Sequence, residues 1–322
     1  MIRVRRFLVL VNPVFRSLGP RKLARIQQVF DQAQIATVTR HTGPNREAIQ
    51  IAHQAAEDDF DALIVCGGDG TVFEALQGLA GSSVPIGIIP LGTGNIIAQN
   101  LGIPRDAVAA AHWLTSATPI SVPLGKITLN GTDEPQSWLF AMSAGIGGHA
   151  AMMSAARRYG KHTAGRIAYF GAGLEILASH PIQLFSMKIT TVAGDIIERQ
   201  ASEMIAVRVA QLNLWRPGGG FHLPFLRLAS VEGTSRLHLA QASFAALVRG
   251  GGRRDRPARA NSPARYEDVV RVECSPLAGM QYKAPLVVQA DGEILGSSSA
   301  TIEMAGTNVN FLCHSAEPSL HQ

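Results

Sequence analysis

The sequence predicts two domains: an α/β domain built on a parallel sheet, followed by a domain of antiparallel β structure. Three observations carry this. In the first third, apolar runs of strand length alternate with stretches of helical spacing. Those runs are apolar throughout, as in strands buried on both faces and separated by helices. From about Ser121 the texture changes to short β-rich runs punctuated by turn residues.

Taken in order, Phe7 to Val11 is a buried strand stopped by Asn12-Pro13. Pro20 to Gln34 has helical spacing, with Leu23, Ile26, Val29 and Phe30 on one side. Ile35 to Thr39 is a second strand and Asn45 to Glu57 a second helix. Ala62 to Cys66 is a continuous apolar strand that runs into Gly67-Gly68-Asp69-Gly70-Thr71. Val72 to Leu79 reads as a helix, Ile86 to Ile89 as another buried strand, and Ile96 to Leu101 as helix-like. Beyond the change of texture, strands are expected at Lys126–Leu129, Ser186–Thr190, Met204–Val209, Ser235–Leu239, Val269–Glu273, Leu286–Gln289 and Ala300–Met304. Asn130-Gly131, Ala193-Gly194-Asp195, Pro217 to Gly220 and Asp291-Gly292 supply the turns. Helices are expected near Arg166 to Leu177 and Phe244 to Val248. The boundary falls near 118–125. The expected domains are residues 1–122 and 123–302, with 303–322 returning to the first.

The chain has 322 residues, 46% apolar and 16% charged, enough for real cores. Its net charge of +5 favours anionic partners such as nucleotide phosphates or acidic lipid surfaces. No recognition motif supports nucleic acid as the partner. The three cysteines, Cys66, Cys274 and Cys313, lie far apart without metal-ligand spacing and read as reduced thiols of a cytoplasmic protein. No apolar run is long enough to span a bilayer. The basic start, Met1 to Arg6, leads into a short apolar stretch that reads as a first buried strand, not a signal peptide. Arg249 to Arg265 holds six arginines and one aspartate among glycines and prolines. It reads either as a solvated loop or as a basic finger on anionic lipid headgroups.

Two glycine loops carry the chemistry. Gly67-Gly68-Asp69-Gly70-Thr71 follows a buried strand and precedes a helix. Glycines there let the backbone approach phosphate oxygens, and the N–H groups of the helix start point at the anion. Asp69 stands where a carboxylate could hold a Mg²⁺ that bridges phosphates. The alternative is a tight strand-to-helix connection whose aspartate caps the helix. The second loop, Pro90-Leu91-Gly92-Thr93-Gly94-Asn95, also ends a strand and opens a helix. Two such loops at the carboxyl ends of neighbouring strands converge on one crevice.

Asn12-Pro13, Thr42, Gly67 to Thr71 with Glu74, and Pro90 to Asn95 resemble the catalytic domain of diacylglycerol kinases, sphingosine kinases and bacterial lipid kinases. Ala144-Gly145-Ile146-Gly147 is similar to that family's turn at the start of the second domain, and Asp291-Gly292-Glu293 to its late Asp-Gly-Glu signature. The resemblance implies a first domain similar to phosphofructokinase and NAD kinase, a second that is a β-sandwich, and an active site in the cleft between them. It implies ATP and Mg²⁺ as cofactors. Asn12, Pro13 and Arg16 would line the phosphate side and Thr42 the nucleoside. Gly67, Gly68, Asp69, Gly70, Thr71 and Glu74 would wrap the phosphates, with Thr93, Gly94, Asn95 and Asp291 also at the cofactor. Asp69 and Glu293 are the expected catalytic residues, Glu293 as general base on the lipid hydroxyl. Metal ligands are expected at Asp69 and Glu232.

The chain also departs from the family. Ile96 stands where many relatives have an acidic residue or asparagine. Glu232-Gly233 replaces an Asp-Gly pair that holds a structural Mg²⁺. His149 replaces an aspartate, which argues against a sphingoid ammonium as substrate. The implied function is phosphorylation of a lipid hydroxyl, diacylglycerol to phosphatidic acid, by a cytoplasmic protein working at an anionic membrane surface. A homodimer is compatible with it. Ceramide or another neutral lipid alcohol, a soluble substrate such as NAD, and an inactive nucleotide- or lipid-binding regulator are the alternatives.

Overall fold

The structure, a computed structural model, describes residues 5–15, 18–43, 45–130, 134–147, 181–208, 224–236 and 264–314. The chain divides into two compact units, Met1–Pro123 with Thr307–Gln322, and Leu124–Gly306.

The first unit alternates strand and helix: β1 (Arg5–Val11), α1 (Pro20–Gln32), β2 (Ile35–His41), α2 (Glu47–Glu57), β3 (Ala62–Gly67), α3 (Asp69–Leu79), β4 (Ile86–Pro90), α4 (Ile96–Asn100) and α5 (Ala107–Thr115). The strands form a parallel sheet in the order β2-β1-β3-β4. The last strand of the chain, Ala300–Cys313, continues this order beyond β4, Phe311 pairing in parallel with Ile86. Every residue of β3 and β4 is buried, which is why they lack alternation and read as continuous apolar runs. Helix α1 starts with Pro20 at its first turn, where a missing N–H costs nothing. It lays Ile26, Val29 and Phe30 on the sheet, and Phe30 meets Phe7 of β1 edge to face at 5.5 Å. Helix α5 is capped by Asp106, whose carboxylate accepts from the Val108 and Ala109 N–H groups at 3.0 and 2.9 Å. Those bonds hold the Asp106 carboxyl below the usual carboxylate range. Helix α3 begins at Asp69, three residues before its expected start. The glycine turn is the helix's own first turn, the Thr71 and Val72 N–H groups both reaching the Gly68 carbonyl.

The second unit is antiparallel. Its strands are β5 (Thr118–Leu129, which starts in the first unit), β6 (Gln136–Phe140), β7 (Ser143–Gly147), β8 (Phe185–Thr191), β9 (Ile196–Ala201), β10 (Glu203–Val207), β11 (Leu226–Val231), β12 (Ala264–Pro276), β13 (Val287–Ala290), β14 (Glu293–Ser297) and β15 (Ala300–Cys313). The order is β14-β13-β7-β10-β11-β12-β15, with hairpin β8-β9 on β12 and β6 paired to β5. Ala144 to Gly147, expected as a turn, lies in the wholly buried strand β7 between β13 and β10. Its small residues answer crowding, since a Cβ on Gly145 would lie 3.0 Å from the Met204 carbonyl oxygen. The helices expected near Arg166 and Phe244 lie outside the described residues, as does most of the strand expected at Ser235–Leu239. Cys66, Cys274 and Cys313 are free and buried. Among the described residues, no helix is long and apolar enough to cross a membrane.

Phe30 is the test of the first unit's packing. It is fully buried on Phe7, so Phe30→Ala should cost about 3–5 kcal/mol of stability. Chemical denaturation followed by circular dichroism measures this, and a loss below about 1 kcal/mol would show that α1 is not fixed by this contact.

Candidate active site

Strands β3 and β4 are parallel neighbours, Cys66 paired with Ile89 and Gly67 with Pro90, so the turns after them leave the sheet side by side. The two turns touch through their glycines. A Cβ on Gly68 would lie 3.3 Å from the Gly92 Cα, and one on Gly92 would lie 2.9 Å from the Gly68 Cα. The Leu91 N–H donates to the Gly67 carbonyl at 2.9 Å. Asn95, in the left-handed region at φ 46°, folds its amide back on Gly92. Its Oδ1 accepts from the Gly92 N–H at 2.9 Å and its Nδ2 donates to the Gly92 carbonyl at 2.6 Å. Gln99 Nε2 donates to the Gly94 carbonyl. Asn12, at the end of β1, donates its backbone N–H to the Cys66 carbonyl at 3.1 Å and its Nδ2 to Thr71 Oγ1 at 2.9 Å. Thr42, after β2, is buried and donates its N–H to the Val11 carbonyl at 2.9 Å. The carboxyl ends of all four strands thus form one rim holding Thr42, Asn12, Gly67 to Thr71 and Gly92 to Asn95. Pro13 and Thr93 are exposed, and Glu74 is half-buried in α3. Arg16 lies outside the described residues.

Asp69 joins the two turns. It is the first residue of α3, yet it does not cap that helix, whose N-terminus has no side-chain cap. Its Oδ1 accepts from the Ile97 N–H at 3.2 Å, at the start of α4. Burial pushes the Asp69 carboxyl above its ordinary value, while the N–H groups of Ile97, Ile96 and Asn95 pull it down. Burial wins, so the charge is held at a cost. An uncapped eleven-residue helix behind a glycine rim is a ready anion site. The donor chemistry also fits Mg²⁺. That ion takes one or two carboxylates and fills its shell with phosphate oxygens and water, and Asp69 offers one carboxylate between the two glycine turns. No cage competes with this arrangement, because no group of three His, Cys, Asp or Glu gathers among the described residues.

In the second unit, Asp291-Gly292 makes the two-residue turn between β13 and β14, with φ of 47° and 83°. Glu293 opens β14, paired with Ala290 and half-buried. Asp291, expected beside the cofactor, is buried with both oxygens on backbone amides. Oδ2 accepts from Ala141 at 2.7 Å, and Oδ1 accepts from Met142 and Ser143 at 2.8 and 2.9 Å. The Asp291 N–H donates to the Ser143 carbonyl at 2.7 Å. Arg208 is fully buried, its N–H on the Met142 carbonyl at 2.7 Å. Desolvation pushes its guanidinium down to about 10, and the charge of Asp291 opposes that. Gln289 is buried in β13, its Oε1 accepting from the Gly292 N–H at 2.8 Å. Arg208 and Gln289 were not singled out in the sequence. A lone amide in the apolar run Val287–Ala290 was the signal for Gln289. Glu232, expected at a metal, instead forms ion pairs with Arg265 at 2.7 Å and Arg199 at 3.8 Å. Two guanidinium groups beside it oppose a divalent cation. Residue 149 and the basic stretch through 157–166 lie outside the described residues.

Residues 6–127 match the diacylglycerol kinase catalytic domain. A diacylglycerol kinase of Bacillus subtilis (strain 168) is 33% identical over 180 residues, 55% of this chain and 57% of that protein. A diacylglycerol kinase of Mycobacterium tuberculosis (strain H37Rv) is 41% identical over 86 residues, 26% of this chain and 28% of that protein. The matched stretch thus spans little more than half of the first relative. Among solved structures, a diacylglycerol kinase from Bacillus anthracis (strain Sterne) superposes with a TM-score of 0.64 at 19% identity, over 98% of this chain and 99% of that one. Yeast NADH kinase complexed with NADH superposes at 0.50 and 9% identity, over 98% and 85%. At such identities the structural likeness is one of fold: an α/β first domain and a strand-rich antiparallel second.

The electrostatics of Asp69 make a stability prediction. Its folded pKa is raised, so its contribution is fully present below the unfolded pKa and lost as pH rises through the folded value. Above the unfolded pKa the buried position of Asp69 therefore costs stability. Asp69→Asn keeps an oxygen for the Ile97 N–H without the charge. In chelator and without nucleotide, the variant should melt above the wild type at pH 7, and the gap should close on acidification towards pH 4. A variant that melts lower at pH 7 would contradict this account of Asp69.

Proposed function

We propose that the chain is a member of the diacylglycerol kinase superfamily and an ATP-dependent lipid kinase that converts diacylglycerol to phosphatidic acid, supported by the match of residues 6–127 and by the likeness to the Bacillus subtilis diacylglycerol kinase. The observation that carries this reading is the joining of the two glycine turns through Asp69 at the ends of β3 and β4. Such a rim suits a triphosphate. Backbone N–H groups of the α3 first turn face the phosphate oxygens, and the glycines let them approach. Asn12 and Pro13 flank the phosphates, with Glu74, Thr93, Gly94 and Asn95 around them, and Thr42 borders the nucleoside. Asp69 would hold Mg²⁺, whose charge would offset that of the phosphate oxygens. Glu293 accepts the proton of the lipid hydroxyl as its oxygen bonds to the γ-phosphorus and the bond to the β-phosphate oxygen breaks. Phosphoryl transfer asks little covalent chemistry of a protein, so placement of these groups supplies most of the rate. The protein works at the cytoplasmic face of an anionic membrane, the arginines between 249 and 265 adding attraction for headgroups.

Purified protein with labelled ATP should phosphorylate diacylglycerol in preference to ceramide, sphingosine, monoacylglycerol and NAD. Label appearing in one of the others instead would reassign the acceptor. Glu293→Gln should lose about 10²–10⁴ in kcat, with Mg–ATP affinity unchanged by calorimetry. Asp69→Asn should lose both rate and Mg–ATP affinity. If Glu293→Gln loses nucleotide binding while its bound fraction turns over normally, the base lies elsewhere.

A further inference from the structure

Gln289 has no role in the scheme above, yet it is a buried amide in an apolar strand, 1% exposed. Burying an amide is costly unless it is bonded, and a leucine would fill the same place at less cost. The turn does not need the amide in order to form, because Asp-Gly favours a two-residue hairpin by itself. What Gln289 adds is a bond across the turn, its Oε1 taking the N–H of Gly292 at 2.8 Å. The neighbouring strand leaves room for it. Gly145 of β7 pairs with Gln289, and a Cβ there would lie 3.1 Å from the Gln289 Nε2. Asp291 fixes the other half of the turn through the amides of Ala141, Met142 and Ser143. Both residues that precede Glu293 are therefore held by hydrogen bonds of buried side chains.

We propose that Gln289 is a positioning residue for Glu293, locking the Asp291-Gly292 turn so that the carboxylate after it keeps one direction. The inference rests on Glu293 acting as the base. Its test is a double-variant cycle on the full chain, with labelled ATP and diacylglycerol in mixed micelles. Gln289→Leu removes the acceptor and keeps the volume near that of the amide. Its kcat should fall at least about tenfold, the scale of a misplaced catalytic group, with the KM for Mg–ATP unchanged. In the Glu293→Gln background the same change should cost less than about twofold, because a positioning residue acts only through the group it positions. Gln289→Glu keeps an oxygen for the Gly292 N–H and should recover most of the rate, and it carries the test if the leucine variant does not fold. An equal loss in both backgrounds, a leucine variant as fast as the wild type, or a glutamate variant as slow as leucine overturns the proposal while leaving the base assignment standing. Full activity in Glu293→Gln overturns the base assignment, and the inference falls with it.

Discussion

The backbones of two glycine turns lie in contact, with no room for a side chain between them. A methyl group on Gly92 would lie 2.9 Å from the Gly68 Cα and as close to the Asn95 amide oxygen. The rest of the first unit's site follows from that contact. It lets the ends of β3 and β4 stay flush, so that Asp69 can reach across from one turn to the first N–H groups of α4. It sets Asn95 in the left-handed region, where its amide closes on Gly92 from both sides. It also leaves the first turn of α3 without a side-chain cap. An isolated protein gains little from such an arrangement, because a carboxylate is held where burial disfavours its charge. Sites built to meet a charged ligand commonly give up stability in this way.

In the second unit, buried side chains hold the hairpin turn that precedes Glu293. Hairpin tips fray when their amides face water. Here the turn is buried, with Asp291 and Gln289 each taking backbone N–H groups that would otherwise go unsatisfied. The charge of Asp291 partly offsets the desolvation that pushes the Arg208 guanidinium down. A guanidinium pushed down to about 10 is still a cation at neutral pH. The hydrogen bonds of Asp291 and Gln289 fix the geometry of the turn that precedes Glu293.

Much of the first unit could be read from the chain. Ala62 to Cys66 is apolar because both faces are covered, and Gly67 marks its end. The start of α3 was read late because glycines resemble a loop, although Gly68 to Thr71 already close the helix's first turn. Helix α5 went unread because its Ala-rich run shows no polar face, though Asp106 before it is an N-cap signal. Strand β9 hid for another reason, since its outward residues Glu198 and Gln200 face solvent and broke the apolar run. The Asp291 turn was legible as a turn and Glu293 as its neighbour. The network that fixes them was not. Asp291 bonds to amides about 150 residues away in sequence, and Arg208 and Gln289 join it only through the pairing of β7 with β10 and β13. Spacing along a chain carries no trace of such contacts.

If the two glycine turns form one phosphate cradle, Gly92→Ala should weaken nucleotide binding. The φ at Gly92 is not in the left-handed region, so alanine adds steric contact without backbone strain. Titration calorimetry of Mg–ATP into the wild type and the variant, with circular dichroism to confirm the fold, gives the answer. The account predicts an intact spectrum and an affinity lower by at least about tenfold, roughly 1.4 kcal/mol. Wild-type affinity in a folded Gly92→Ala protein would contradict it.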